Sequence, residues 1–204
     1  RKRLHSVNYR YAITFRVTMP SRLSLSNTEL EGLVVLTRAA AGDSRGQFER
    51  LFCTKELTEL LGGRSIVQLN RSLTSVAGTV RGMHFQYPPA AEMKFVSCTR
   101  GEVFDVAVDL RRSSQTFLRW HAQRLSPGAH TTLVIPEGFA HGFQTLTDDC
   151  EMLYLHTAPF TPESESGINP FDPHLAVSWP LEVTEISDRD SQLATVTDEF
   201  LGVL

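Results

Sequence analysis

Glu102-Val-Phe-Asp-Val-Ala-Val-Asp-Leu110 places Phe104, Val106, Val108 and Leu110 on one face of an extended chain, and Val103, Asp105, Ala107 and Asp109 on the other. A period of two marks a β-strand, and here one of the two faces carries two carboxylates. Outward from it, strand-like runs recur at 79–86, 93–99, 117–124, 131–135, 142–146 and 150–157, separated by Pro, Gly or Asp turns. Many short strands at this spacing, with little helix, predict an all-β fold: a jelly-roll sandwich or barrel with a few short helices.

Nearer the N-terminus, Leu33-Val-Val-Leu-Thr37 and 65–70 also read as strands, and Gly42-Asp-Ser-Arg-Gly46 as a turn-rich loop. Thr54 is placed to cap a short helix with Leu57, Leu60 and Leu61 on one face and Gly62-Gly63 ending it. After Trp179-Pro180 the chain becomes irregular and closes on a short apolar tail. The expected division is an N-terminal extension over 1–28, one domain over 29–190 and a tail over 191–204. Within the extension, Tyr9, Tyr11, Ile13, Phe15 and Val17 alternate with polar or small residues, which reads as an added strand; a disordered leader or an expression remnant is the alternative. Met19-Pro20 reads as a natural start.

The 204 residues, 41% apolar and 21% charged, suit one globular domain with a substantial core. The net charge of −3 conceals an asymmetry: residues 1–28 hold six basic side chains and no acidic one, leaving 14 basic against 23 acidic, about −9, in the rest. So acidic a body excludes nucleic acid as the expected partner. Three cysteines without paired spacing argue against a disulfide framework and for a reducing cytoplasm. No apolar run is long enough to span a membrane, and neither CxxC nor HExxH occurs.

The chemistry-bearing residues cluster between Arg81 and Phe143. His84 and Lys94, ten residues apart, read as lying on neighbouring strands, with His141 on a tight turn after Pro136-Glu-Gly138. A base, a cation and a further polar group on a rigid sheet are what proton abstraction beside a carbonyl requires. Alone, each residue has a bland alternative: a packed His, a snorkelling Lys, a core-filling Tyr.

Arg81-Gly-Met-His-Phe-Gln86, Gly101-Glu-Val-Phe-Asp-Val-Ala-Val-Asp-Leu-Arg111, Ile135-Pro-Glu-Gly-Phe-Ala-His-Gly-Phe143 and Ser187-Asp-Arg-Asp190 together resemble the dTDP-4-dehydrorhamnose 3,5-epimerase family, in order and spacing, over about residues 30–190. The resemblance implies a cupin jelly roll, a homodimer that exchanges N-terminal strands, no cofactor, and a dTDP-4-keto-6-deoxyhexose substrate inverted at C3 and C5 through an enolate. By the same resemblance His84 is the base, Asp190 its carboxylate partner (Asp188 being the rival), Tyr154 the proton donor and Lys94 the group that stabilises the enolate. Arg45, Phe48, Gln68, Leu69, Asn70, Arg81, His141, Phe160, Glu165 and Arg189 match substrate-binding positions.

Pro136-Glu-Gly-Phe-Ala-His141 also resembles the second cupin motif, whose His ligates metal in some members. The His-x-His pair of the first motif reads His84-Phe-Gln86 here, so no metal is expected and His141 is assigned to substrate. Phe160 stands where many relatives carry Tyr; it keeps a π face for stacking without the hydroxyl. Arg50 replaces a usual Glu, and Pro170-Phe171 a usual Trp-Asn. Arg81 and His84 are an odd number apart, so a regular strand would aim them at opposite faces; either the strand bends or Arg81 serves a partner subunit's site. The rivals are an epimerase acting at C3 alone, a non-catalytic jelly roll that binds a nucleotide sugar, and a metal-dependent cupin oxygenase.

Overall fold

The computed structural model describes residues 21–203. The strand expected over 9–17 lies outside the described residues. Thirteen strands dominate the regular structure of the described residues: β1 (Leu23–Asn27), β2 (Val34–Arg38), β3 (Ala41–Asp43), β4 (Gly46–Phe48), β5 (Gln68–Thr74), β6 (Val80–Gln86), β7 (Lys94–Arg100), β8 (Val103–Asp109), β9 (Trp120–Leu125), β10 (Thr131–Ile135), β11 (Phe139–Thr145), β12 (Cys150–His156) and β13 (Glu165–Gly167). The α-helices α1 (Thr58–Leu61) and α2 (Asp188–Ser191) have four residues each.

The strands form a six-stranded sheet in the order β1-β2-β10-β7-β12-β5, a five-stranded sheet in the order β13-β6-β11-β8-β9, and a separate β3–β4 hairpin. Every pairing is antiparallel. This is the expected jelly roll, and the strand predictions from 79 to 157 match β6 to β12 closely. The fold differs in one way that matters. His84 lies on β6 and Lys94 on β7, and these strands belong to opposing sheets rather than neighbouring positions in one.

The core explains the two-sheet arrangement. Val96, Cys98, Leu133, Ile135 and Met152 from the larger sheet pack against Val103, Ala107, Phe139 and Phe143 from the smaller one. Val103 and Ala107 therefore face the interior, beside Asp105 and Asp109 in the same alternation. The opposite face of β8 packs outward: Val106, Val108 and Leu110 are covered by Ile168, Leu175, Val196 and Val203. The tail over 191–203 is thus seated on the sheet, because a bare apolar face would be costly in water. On the outside of the larger sheet, Leu57 and Leu61 cover Leu36, Phe95 and Val134.

Two terminal details depart from expectation. Thr54 does not cap α1; Leu57 occupies the N-cap without a side-chain bond, and Thr54 instead accepts a bond from the Thr58 hydroxyl through its backbone oxygen. Gly62 ends the helix in the left-handed conformation, as predicted. The segment expected to be irregular after Trp179 contains α2, whose N-cap Ser187 accepts from the Asp190 N–H at 3.1 Å. Part of the extension, residues 23–27, is β1 and pairs with β2.

Candidate active site

A cavity of about 910 Å³ opens between the sheets. Arg81, His84 and His141 come to it from β6 and β11; Asn70, Ser72, Lys94, Tyr154 and His156 come from β5, β7 and β12. Phe160, Glu165 and Asp190 complete the lining.

The parity problem at Arg81 and His84 is resolved by a bulge. Register along β6 and β11 pairs His141 with His84 but Phe143 with Arg81, so β6 uses one residue more than its partner. An inserted residue flips the facing of everything beyond it, and Arg81 and His84 reach the same cavity. Gly82 carries the bend with φ +116°, and a Cβ there would meet Gly142 Cα at 2.5 Å and His141 O at 2.7 Å. Only glycine meets both demands.

His84 Nε2 lies 2.7 Å from Asp190 Oδ1, and Asp190 Oδ2 accepts the Gly82 N–H at 3.0 Å. Asp190 is buried, while Asp188 is exposed in the first turn of α2. Burial alone would raise the Asp190 pKa; the His84 and Gly82 hydrogen bonds, with the His84 and Arg189 charges, outweigh it and hold the carboxyl below the usual range. An ionised Asp190 fixes the proton on His84 Nε2 and leaves Nδ1, which has no hydrogen-bond partner among the described residues, as the basic nitrogen.

Tyr154 stands on the facing sheet, its Oη 3.0 Å from Ser72 Oγ. Burial, with a smaller push from the Asp105 charge, raises the phenol above its ordinary pKa, against the Ser72 bond and the Arg81 charge. A phenol so placed is protonated at neutral pH. Lys94 Nζ sits 3.2 Å from Glu92 Oε1. His141 Nε2 donates to the fully buried Asp105 at 2.9 Å, and its ring meets that of Tyr154 edge-on with centroids 6.3 Å apart. The cavity therefore has a carboxylate-backed imidazole on one wall, and a protonated phenol with an ammonium on the other.

Of the predicted residues, His84, Tyr154, Asp190, Lys94, Asn70, Arg81, His141, Phe160 and Glu165 line this cavity. Arg189 does not line it but pairs with Glu165, which does, at 2.6 Å. Gln68 is one step removed, accepting the Phe160 N–H, and Leu69 is exposed on β5. Arg45 and Phe48 are not brought to the cavity: they sit on the β3–β4 hairpin, where Arg45 pairs with Asp43 and Phe48 is 66% exposed. Arg50 pairs with Glu56, away from the cavity.

Sequence reasoning missed Asp105, Ser72, Glu92 and His156 as parts of the site. Asp105 carried a signal, a carboxylate on an otherwise apolar strand face. His156 shares the Tyr154 face of β12. Glu92 precedes β7 in a loop, and nothing in its spacing marks it. Among the described residues no three or more His, Cys, Asp or Glu side chains are grouped so as to hold a metal ion.

Residues 27–198 match the dTDP-4-dehydrorhamnose 3,5-epimerase family. The chain is 43% identical to the dTDP-4-dehydrorhamnose 3,5-epimerase of Sinorhizobium fredii, across 74% of this chain and 77% of that protein. It is 37% identical to the dTDP-4-dehydrorhamnose 3-epimerase of Streptomyces niveus, across 79% and 78%. Among solved structures, a dTDP-6-deoxy-D-glucose-3,5-epimerase of Legionella pneumophila in complex with dTDP-4-keto-L-rhamnose superposes with a TM-score of 0.80 at 39% identity, covering 85% of this chain and 92% of that one.

Proposed function

This chain belongs to the dTDP-4-dehydrorhamnose 3,5-epimerase family, and we propose that it inverts C3 and C5 of dTDP-4-keto-6-deoxyglucose to give dTDP-4-dehydro-L-rhamnose, without a cofactor and in the cytoplasm. The observation that carries this reading is the His84–Asp190 pair facing Tyr154 and Lys94 across one cavity.

The 4-keto group acidifies the C–H bonds on either side of it. His84 Nδ1 takes the proton and the resulting imidazolium is stabilised by Asp190. The electron pair moves into an enolate, whose oxygen is met by the Lys94 ammonium, a positive group preset where negative charge develops. Tyr154, on the opposite wall, returns a proton to the other face, and the centre inverts. The same base and acid serve both carbons if the ring turns between the two events. Asp105 orients His141, which is left to bind the sugar.

The nucleotide end falls to Gln68, Leu69, Asn70, Arg81, Glu165 and Arg189, with the Phe160 ring as a face for the base; an Arg fork suits pyrophosphate oxygens. Arg45 and Phe48, remote from their own cavity, serve the site of a second subunit in a homodimer that exchanges N-terminal strands.

The experiment is proton NMR of dTDP-4-keto-6-deoxyglucose in heavy water with the purified protein. Deuterium at both C3 and C5, with the L-lyxo product after reduction, is expected. Label at C3 alone would make it a single-centre enzyme like the Streptomyces niveus relative. No exchange at either carbon, with folded protein, would overturn the enzymatic reading.

A further inference from the structure

Beside Lys94 runs a hydrogen-bond chain that contains two residues the reaction above leaves unused, His156 and Glu92. It begins at a backbone group, the Phe160 N–H, which donates to Gln68 Oε1 over 2.9 Å. Gln68 Nε2 donates to Asn70 Oδ1 at 3.2 Å, and Asn70 Nδ2 lies 3.3 Å from His156 Nε2. His156 Nδ1 lies 2.9 Å from Glu92 Oε2, and Lys94 Nζ 3.2 Å from Glu92 Oε1.

The direction of this chain is fixed at both ends. A backbone N–H can only donate, so Gln68 turns its oxygen to Phe160 and its NH₂ to Asn70. Asn70 then accepts from Gln68 and donates to His156, whose Nε2 must accept. The imidazole proton therefore sits on Nδ1, facing Glu92, and an ionised carboxylate can only accept. Lys94 closes the other end by donating to the second oxygen. Glu92 takes two donors on separate oxygens, which no neutral side chain of its size can do. Burial alone would raise its pKa; the His156 bond and the Lys94 charge outweigh it and hold the carboxyl low. Glu92 and His156 are both buried, at 9% exposure each.

We propose that His156 and Glu92 are positioning residues for Lys94: anchored through Asn70 and Gln68 to the Phe160 backbone, they hold the ammonium where it meets the enolate oxygen. The proposal rests on the reading above that Lys94 stabilises the enolate. Lys94 has a long flexible stem, and a cation that stabilises a developing charge must be held in place before the charge appears. Glu92 supplies the hold, and His156 keeps Glu92 from turning. The chain also joins the aromatic platform at Phe160 to the group acting on the sugar, which links nucleotide recognition to the chemistry.

His156 also stacks on Tyr154, at 6.3 Å between centroids and 29° between planes, so a test must separate shape from polarity. His156→Phe keeps a ring and removes both nitrogens; His156→Gln restores one donor and one acceptor. Each is made alone and with Lys94→Ala, and kcat and KM are measured on dTDP-4-keto-6-deoxyglucose. His156→Phe is expected to lower kcat about ten- to a hundredfold with KM changed less than about threefold, the loss expected from a misplaced catalytic group. His156→Gln recovers most of that loss. In the Lys94→Ala background His156→Phe costs nothing further, because it acts through the missing group. Glu92→Gln, which leaves a single acceptor oxygen, shows the same split and carries the test if His156→Phe does not fold.

An undiminished kcat in His156→Phe, equal impairment in His156→Gln, or a loss that persists without Lys94 would each overturn the proposal. Full turnover in Lys94→Ala would overturn the enolate role of Lys94 and this proposal with it. Impaired Lys94→Ala beside an unaffected His156→Phe would overturn this proposal alone.

Discussion

The Asp190 carboxylate grips the His84 imidazole at 2.7 Å with one oxygen, and with the other takes the Gly82 N–H at the bend that turns His84 into the cavity. One side chain thus sets both the proton on the His84 ring and the backbone that aims it. Asp190→Asn keeps the shape and removes the charge, and the imidazolium formed in the reaction loses its counter-ion. The kcat is expected to fall about a hundredfold or more. The stability effect has a definite sign. A carboxyl held low in the folded state stabilises fully above the unfolded value of about 3.9, and that contribution is lost as pH falls through the lower folded value. Acid unfolding followed by circular dichroism should show this component in the native protein and not in Asp190→Asn. An Asn variant with native turnover would remove Asp190 from the mechanism.

Gly82 supports a separate prediction, about stability. A methyl group there would collide with Gly142 Cα and His141 O, and the residue would be held at φ +116°. Strain and overpacking each cost about 1–3 kcal/mol, so Gly82→Ala should lower unfolding free energy by about 2 kcal/mol or more. Urea unfolding reads it. Turnover should drop as well, since relief of the clash moves His84 away from Asp190. Native stability in this variant would mean that the bend does not need glycine.

Tyr154 offers a way to separate the two proton transfers. Tyr154→Phe removes the acid on one wall and leaves the base on the other intact. Product formation should fall about 10²- to 10⁴-fold. Deuterium from heavy water should still enter the substrate with retained configuration, because His84 can return a deuteron to the face it came from. Mass spectrometry of recovered substrate shows the exchange, and NMR its stereochemistry. If exchange and inversion vanish together, Tyr154 is not the donor acting after abstraction.

The fold was legible because alternation survives in short strands: the 102–110 pattern assigned both faces of β8 correctly, including the apolar face that the C-terminal segment covers. His84, Tyr154 and Asp190 were legible through long motifs rather than spacing. Spacing alone misled once: it set His84 and Lys94 on neighbouring strands, when a β6–β7 connection crosses between sheets. For Arg81 and His84, an odd number apart, alternation left a bent strand or a partner's site open, and the bulge in β6 decides for the bend. Asp109 shows the converse. It lies in the same motif as Asp105, yet its carboxylate is used by Arg111, Ser114 and Thr116 to shape the turn after β8. Two carboxylates on one strand face have different jobs, and only their neighbours in space tell them apart.

Arg45 and Phe48, assigned to substrate binding by the family resemblance, lie on a hairpin outside the cavity of their own chain. If they serve a second subunit, a site is built from two chains and can be rebuilt from two damaged ones. Arg45→Ala and His84→Ala should each be strongly impaired as pure dimers. Unfolded together and refolded at equal amounts, half of the dimers are mixed. In each mixed dimer one site carries both lesions and the other carries neither. Activity should therefore return to about a quarter of the native value, as the symmetry of a two-fold dimer dictates. No recovery, with dimers shown to have exchanged by mass spectrometry of tagged chains, would place Arg45 with its own subunit's site or with none.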